Sequence, residues 1–339
     1  MAKATRAKIT VHDVAAKAGV SIATVSRAFS IPDVVRTDVR KHVLDVARKL
    51  GYSPNPAAKA LRLQKTHIVG AVIPTLDYAI FAKMINSFQD TLASFDYMTI
   101  VLTVGFDNTN IFDKIKLLVD RGAEALLIVG AVEDPALRRY LKTTRVPVLT
   151  TYSYLPEEVV PSIGFDNYAA TESAMDYLIG LGHKNFAMIA GSTVGNDRQR
   201  ARIQAYTDAL KSRNLRGEER VFIRPYSIAG GAAAMQEIHK LHPTVTAIVC
   251  NADFLALGAL AECKRLGLHV PNDISVTGFD DYDYSCLLEP PLTTISVPGS
   301  EMGIQAALAL HSALTTGKKL VSQRLDTKLM VRHSASRPN

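Results

Sequence analysis

From His67 onward, short apolar runs rich in β-branched residues alternate with longer helical stretches, and this beat restricts the fold more than any other feature of the chain. The strand candidates are IVGAVI, MTIVLTV, EALLIVG and VPVLTT, then FAMIAG, VFIRP, TAIVC and DISVTGF. Two parallel strands need a connection of a dozen or more residues between them, which is usually a helix. The alternation therefore predicts βαβ units, and eight or so strands predict two doubly wound parallel sheets, one per lobe. The chain continues through LTTISV, a predicted helix near 301–315 and a last strand near 325–331, an ending that suggests returns between two lobes. With 339 residues, 47% of them hydrophobic, two or three cores can be filled. No apolar stretch approaches the roughly 18 residues that a membrane-spanning helix needs.

Charge sets the first 65 residues apart. They hold 13 Lys and Arg against four Asp, a net of +9, while the other 274 residues hold 26 basic and 28 acidic residues, a net of −2. A small basic module on a nearly neutral body is the electrostatic footprint of polyanion binding. A disordered basic tail would also carry such a block, but this one has helix punctuation. Thr10 precedes the apolar series Val11, Val14, Ala15, Ala18, and Gly19 follows it, which predicts a helix of about eight residues with a hydroxyl cap and a stop glycine. Ser21 then caps a second helix, Ile22 to Phe29. A third is expected over Thr37 to Leu50, with Val39, Val43, Val46 and Leu50 on one stripe before Gly51.

Two short helices joined by a glycine turn form the helix-turn-helix arrangement, whose second helix enters the DNA major groove. The candidate contacts there are Ser21, Ile22, Ala23, Thr24, Ser26, Arg27 and Ser30, with Thr10 at the start of the first helix. Arginine pairs bidentately with guanine, whereas Ile22 and Ala23 offer only apolar contact such as to a thymine methyl. Taken alone, Arg27 reads equally well as a solvated surface arginine, and Val25 reads as core.

The segments ITVHDVAAKAGVSIATVSRAFS and VRKHVLDVARKLGYSPNPAAKALRLQKTHIVGAVIP closely resemble the lactose/galactose repressor (LacI/GalR) family of bacterial transcription factors, over about residues 9–335. The resemblance implies an N-terminal all-α helix-turn-helix domain (1–52), a hinge helix or linker (53–65) and a periplasmic-binding-protein-like core (66–339) joined by three crossovers. The core would divide into an N-lobe (about 66–164 and 297–325) and a C-lobe (about 165–296 and 326–339). It also implies a hinge helix that folds on DNA and wedges a leucine into the minor groove, a device that unstacks and bends the duplex. The matching residues are Asn55, Ala58, Lys59 and Leu61. Two departures touch operator preference: the usual arginine is Lys59, which loses bidentate geometry, and the usual asparagine at the end of the recognition helix is Ser30.

In the body, no G-x-G-x-x-G follows the first strand, and P-loop, H-E-x-x-H and G-x-S-x-G patterns are missing, so the sequence predicts a binding protein without catalytic residues, cofactor or metal. GSTVG (191–195) reads better as a strand-to-helix turn than as a phosphate cradle, and the pair His239/His242 reads as solvent-facing. Ligands of such folds bind outside the carboxyl ends of the strands. Asp166, Asp280 and Arg202 occupy such places, each with a plain structural alternative. The resemblance implies that Arg202, within R-x-x-A-Y, holds effector hydroxyls or carboxylates, that Asp166 and Asp280 face the same cleft, and that the rings of Phe81 and Tyr226 stack on the effector. Carboxylates accept hydroxyl hydrogen bonds and arginine donates a fork, which suits a sugar or sugar acid. Arg198 and Arg200 would favour an acid, or else lie on a solvated face. The family's Asn-Asp pair is Ala252-Asp253 here, and Asp253 is expected to cap the following helix.

The expected partners are thus double-stranded operator DNA, a small-molecule effector and a second copy of the chain. A homodimer is favoured over a tetramer, because no leucine heptads follow Val331. The start lacks an apolar signal segment, and the three cysteines show no C-x-x-C spacing, so a cytoplasmic, nucleoid-associated protein without disulfides or membrane contact is expected. A periplasmic transport protein or an enzyme on the same fold would leave the basic module without a role, and a non-specific nucleoid protein would leave the body without one.

Overall fold

The computed structural model describes residues 9–54 and 65–339, which fall into two units divided between Thr66 and His67. In the first, α1 (Val11–Ala18) begins where the Asp13 carboxylate accepts from the backbone N–H and the hydroxyl of Thr10, both at 2.8 Å. It ends at Gly19, whose φ of 64° only glycine adopts freely. Ser21 caps α2 (Ile22–Ser30) by accepting from the Thr24 N–H at 3.1 Å. The third helix, α3 (Thr37–Leu50), closes a core of Val14, Ala15, Ala18, Val25, Ala28, Val43 and Ala47. Tyr52 seals it edge-on against Phe29, with ring centroids 5.8 Å apart. The hinge candidates Asn55, Ala58, Lys59 and Leu61 lie outside the described residues.

The second unit holds two six-stranded sheets. In the N-lobe the order is β11-β5-β4-β3-β1-β2, with β1 Ile68–Ile73, β2 Met98–Thr103, β3 Ala125–Val129, β4 Val148–Thr151, β5 Ser162–Gly164 and β11 Gln323–Arg324. In the C-lobe it is β12-β10-β9-β8-β6-β7, with β6 Phe186–Ala190, β7 Val221–Ile223, β8 Ala247–Cys250, β9 Ser275–Asp280, β10 Thr293–Ser296 and β12 Lys328–Met330. All pairs are parallel except β10 with β12. Strand β11 had no signal in the sequence, because Gln323 and Arg324 are polar and exposed, and β5 entered only as the strand end before Asp166. The chain passes between the sheets three times: after β5, after β10 and between β11 and β12.

Helices cover both faces. In the N-lobe α4 (Ala79–Ala93) and α11 (Gly299–Thr316) pack on one face, while α5 (Ile111–Asp120) and α6 (Pro135–Thr144) pack on the other. In the C-lobe lie α7 (Asn167–Gly180), α8 (Asp197–Lys211), α9 (Ile228–Leu241) and α10 (Asp253–Arg265). The α4–α11 contact is close because Gly303 lets one backbone meet the other; a Cβ there would stand 2.2 Å from the Met84 carbonyl oxygen. Gly303→Val is therefore expected to cost about 3 kcal/mol or more, read as a fall in Tm by calorimetry; a Tm within 1–2 °C of the parent would contradict the close-contact argument. None of the described helices is long and apolar enough to cross a membrane.

Candidate functional site

Two surfaces carry the chemistry. On the first unit, α2 buries Val25 and Ala28 and turns Ile22, Ala23 and Arg27 to solvent. The Arg27 guanidinium has no protein partner among the described residues, so none of them competes for it. Ser21 and Thr24 share a hydroxyl contact of 2.9 Å at the helix start, and the Ser30 hydroxyl donates back to the Ser26 carbonyl at 2.8 Å. The serine at the end of α2 is thus partly spent on its own helix. Thr10 is engaged in the cap of α1.

In the second unit the carboxyl ends of the two sheets face each other. Tyr78 and Phe81 follow β1, Tyr152 follows β4, Tyr226 follows β7 and Phe254 opens α10 after β8. Arg198, Gln199 and Arg202 lie on α8 after β6, Asp280 ends β9 and Tyr282 follows it; together with Ile80, Phe106 and Asn196 these residues line one cavity. Rings from opposite lobes stack in it: Tyr78 on Phe254, with centroids 4.5 Å apart and planes 9° apart, and Phe106 on Tyr226, at 4.6 Å and 16°. The Tyr78 hydroxyl donates to the Tyr226 carbonyl across the gap. Asp197 ties the lobes as well, its carboxylate accepting from the Ala131 N–H at 3.2 Å and from the Ser153 hydroxyl at 2.5 Å. The free space left is about 30 Å³, enough for a water or two. A sugar-sized ligand therefore enters only if the lobes part or the rings turn.

The polar groups in this cavity are charged and incompletely bonded. Arg202 is buried, its Nε donating to Asn167 Oδ1 at 2.8 Å and its Nη1 to the Asn251 carbonyl at 2.9 Å, with its Cζ 3.5 Å from the centre of the Phe279 ring. Burial lowers its pKa. Arg198 is paired to Asp197 at 3.0 Å, yet its Nη2 is buried with no partner among the described residues, and so is the Tyr282 hydroxyl. Burial pushes the Asp280 carboxyl up to about 8 against the pull of Arg202, and the Tyr226 phenol up to about 12. Asp280 also holds a φ of 110°, a strained conformation for a residue with a side chain and one that clusters at functional sites. An unpaired guanidinium nitrogen and an unpaired hydroxyl inside a low-dielectric cavity are costly unless something polar meets them.

Of the effector candidates, the structure brings Phe81, Arg202, Tyr226 and Asp280 together. Asp166 stands apart from the lining: its carboxylate accepts from the Ala169 N–H at 3.0 Å as the cap of α7, and it lies 3.7 Å from Arg324. The first-turn N–H groups win that carboxylate, and the next residue takes the inward place. Asn167 is buried, donating to the Tyr152 carbonyl at 2.9 Å while holding Arg202. Asp253 is not the cap that the sequence led one to expect. Ala252 is the cap and Asp253 opens α10, where its carboxylate accepts from the Tyr282 N–H at 2.9 Å and from the Ser285 and Thr294 hydroxyls, each at 2.5 Å. Arg200 lies on the rim and pairs with Glu133. The aromatic members Tyr78, Phe106, Tyr152, Phe254 and Tyr282 went unread in the sequence, and so did Gln199. Their only signal was a position just past a strand, shared with many residues that line nothing. Among the described residues no group of three or more His, Cys, Asp or Glu could hold a metal ion.

Comparison with known proteins gives the following. Residues 10–55 match the family described as bacterial regulatory proteins, lacI family, and residues 66–327 match the periplasmic binding proteins and sugar binding domain of LacI family. The chain is 31% identical over 337 residues to the HTH-type transcriptional repressor CytR of Escherichia coli (strain K12), covering 98% of each chain. In fold it is similar to a LacI-family transcriptional regulator from Silicibacter pomeroyi (TM-score 0.88, 21% identity, 97% of this chain and 100% of that one). It is similar also to the lac repressor dimer solved bound to operator and the anti-inducer ONPF (TM-score 0.85, 24% identity, 97% of this chain and 99% of that one).

Proposed function

This chain belongs to the LacI family of bacterial regulatory proteins, and on that premise we propose that it is a cytoplasmic transcriptional repressor, associated with the nucleoid when bound to DNA, whose paired heads bind a palindromic operator and whose cleft takes a sugar or sugar acid. The observation that carries the effector part is the pair of unpartnered buried groups, Arg198 Nη2 and the Tyr282 hydroxyl, beside Arg202 and Asp280. A polyhydroxylated ring with a carboxylate satisfies them: the guanidinium takes the acid, the carboxyl and phenol take hydroxyls, and Phe81 and Tyr226 cover apolar faces. The cavity is far too small for such a ligand as the lobes stand, so binding changes the lobe contacts made by Tyr78 and Asp197. Coupling between two sites of this kind is typically about 1–3 kcal/mol. On the DNA side, exposed Ile22, Ala23 and Arg27 meet base edges, Ser21, Thr24, Ser26 and Thr10 lie at phosphates, and the segment holding Asn55, Ala58, Lys59 and Leu61 enters the minor groove of a palindrome read by a homodimer.

The test is selection of a palindrome library by the full chain at about physiological salt, with and without a panel of sugars and sugar acids. Enrichment of one two-fold symmetric site, with occupancy shifted by one compound, is expected. Uniform recovery of all sequences, unmoved by any compound, would overturn the reading.

The pH dependence separates acids from neutral sugars. With its pKa near 8, Asp280 is uncharged at neutral pH and does not oppose the arginine charge that the cleft presents to an anion; the carboxylate beside Arg198 is that of Asp197. As the pH rises through about 8, Asp280 ionises and repels the ligand. Affinity for a sugar acid is expected to be flat below pH 7 and to fall by up to about tenfold per unit above 8. Asp280→Asn flattens the profile. Titration calorimetry between pH 6.5 and 9.5 checks this, and an affinity that rises with pH would contradict it.

A further inference from the structure

A cavity of about 380 Å³ opens on the flank of the N-lobe, away from the cleft. It lies beside the amino end of β4, where Val148 precedes Thr150, the first residue of β4 paired with β5. Val148 and Thr150 of β4 form its floor, Leu141 of α6 one wall, the segment 155–161 a second, and Ala313 with the loop after α11 a third. Apolar side chains make up most of the lining. The Thr150 hydroxyl is spent on the Pro161 carbonyl at 3.3 Å, and Arg138 is held by the Val132 carbonyl and by Glu158 at 3.0 Å. Around the mouth stand Lys142, Lys318 and Lys319, all exposed and none with a carboxylate partner among the described residues. Val159, 62% exposed, shares the rim.

We infer that this cavity is a second ligand site, which takes a small amphipathic organic anion: an apolar body on Leu141, Val148 and Ala313, and a carboxylate, sulfonate or phosphate among Lys142, Lys318 and Lys319. The volume lies within the roughly 300–1,000 Å³ of small-molecule sites. Three ammonium groups with no carboxylate partner among the described residues, around a mostly apolar hole, match a ligand that is greasy at one end and anionic at the other. A sugar is disfavoured, since the interior would leave its hydroxyls unbonded. The second wall also connects to the cleft. Its chain leaves β4 through Tyr152 and Ser153, and Ser153 bonds Asp197 of the other lobe, so an occupant here presses on a segment that holds the lobes together.

The probe is anilinonaphthalene sulfonate (ANS), an aromatic body with one anionic head, titrated into the full chain and followed by fluorescence. Saturable binding at one site per chain is expected. Lys318→Glu with Lys319→Glu, both on an exposed loop, is expected to weaken it at least tenfold, and Ala313→Phe to abolish it by filling the hole. Arg198→Ala, in the cleft, is expected to change the ANS affinity by less than twofold. Three results would overturn the site: no saturable binding to the folded chain, equal binding by the double lysine variant, or loss of binding in Arg198→Ala, which would put ANS in the cleft. The assay needs neither operator nor effector, so it stands or falls independently of the proposed regulation.

Discussion

Arg27→Ala is expected to cost the proposed dimer about 2–6 kcal/mol of operator affinity, since each bidentate arginine–guanine pair is worth about 1–3 kcal/mol and a dimer presents two. That is a loss of about thirtyfold at the least. The size follows from how the fold leaves this side chain. Arg27 lies on the solvent side of α2, opposite buried Val25 and Ala28, and it has no partner among the described residues that would have to be given up. Binding to unrelated DNA is expected to fall far less, because there the residue supplies only one charge among many. Ser30→Ala is the contrast. Its hydroxyl already donates to the Ser26 carbonyl, so a change of less than threefold is expected. Ser21→Ala acts differently again, removing the cap of the recognition helix at a cost of about 1 kcal/mol of helix stability. Fluorescence anisotropy on the selected operator and on a scrambled duplex measures all three. Equal losses on both duplexes for Arg27→Ala would make it a phosphate contact and remove it from base reading.

The second large effect belongs to Asp253. Its carboxylate gathers the Tyr282 N–H and the Ser285 and Thr294 hydroxyls in the interior of the C-lobe, which fixes the chain just after Asp280. Asp253→Ala leaves three buried donors without an acceptor, each costing about 1–3 kcal/mol when unmet, less whatever the two hydroxyls recover by rotating. A total of about 3–5 kcal/mol is expected, seen as a Tm lower by roughly 6–15 °C. Asp253→Asn keeps the shape and one acceptor oxygen, and should lose about 1–3 kcal/mol. Because the hub holds the backbone of Tyr282, two residues after Asp280, the alanine variant should also bind the proposed effector more weakly, even though Asp253 itself does not line the cavity. A Tm within 2 °C of the parent would show that the three donors find other partners and that the hub is dispensable.

The helical periods and caps of α1 to α3, and the alternation that became the βαβ units, were legible because they are local. A cap depends on residues three apart, a helix stripe on three or four, and a strand on its immediate neighbours. The helix-turn-helix and both sheets could therefore be read before any contact was known. Strand β11 escaped because Gln323 and Arg324 carry no apolar pattern, and pairing with β5 is what makes them a strand.

The cleft was legible only in part, for the same reason inverted. Arg202 and Asp280 could be placed by motif, but which neighbour of a motif points inward is decided by competition in the fold. At Asp166 and Asn167 the start of α7 took the carboxylate and sent the amide in to hold Arg202. At Asp253 the expected cap became a buried hub, because three donors from Tyr282, Ser285 and Thr294 converge there. The stacked rings from opposite lobes and the flank cavity ringed by lysines have no sequence signature at all, since their members come from strand ends and helix ends far apart in the chain. The sequence by itself determined the modules, their order and the kind of chemistry they hold. Which side chains share a cavity, and which charges are left unpaired, was decided by tertiary packing, where backbone donors, hydroxyls and rings compete for the same few inward positions.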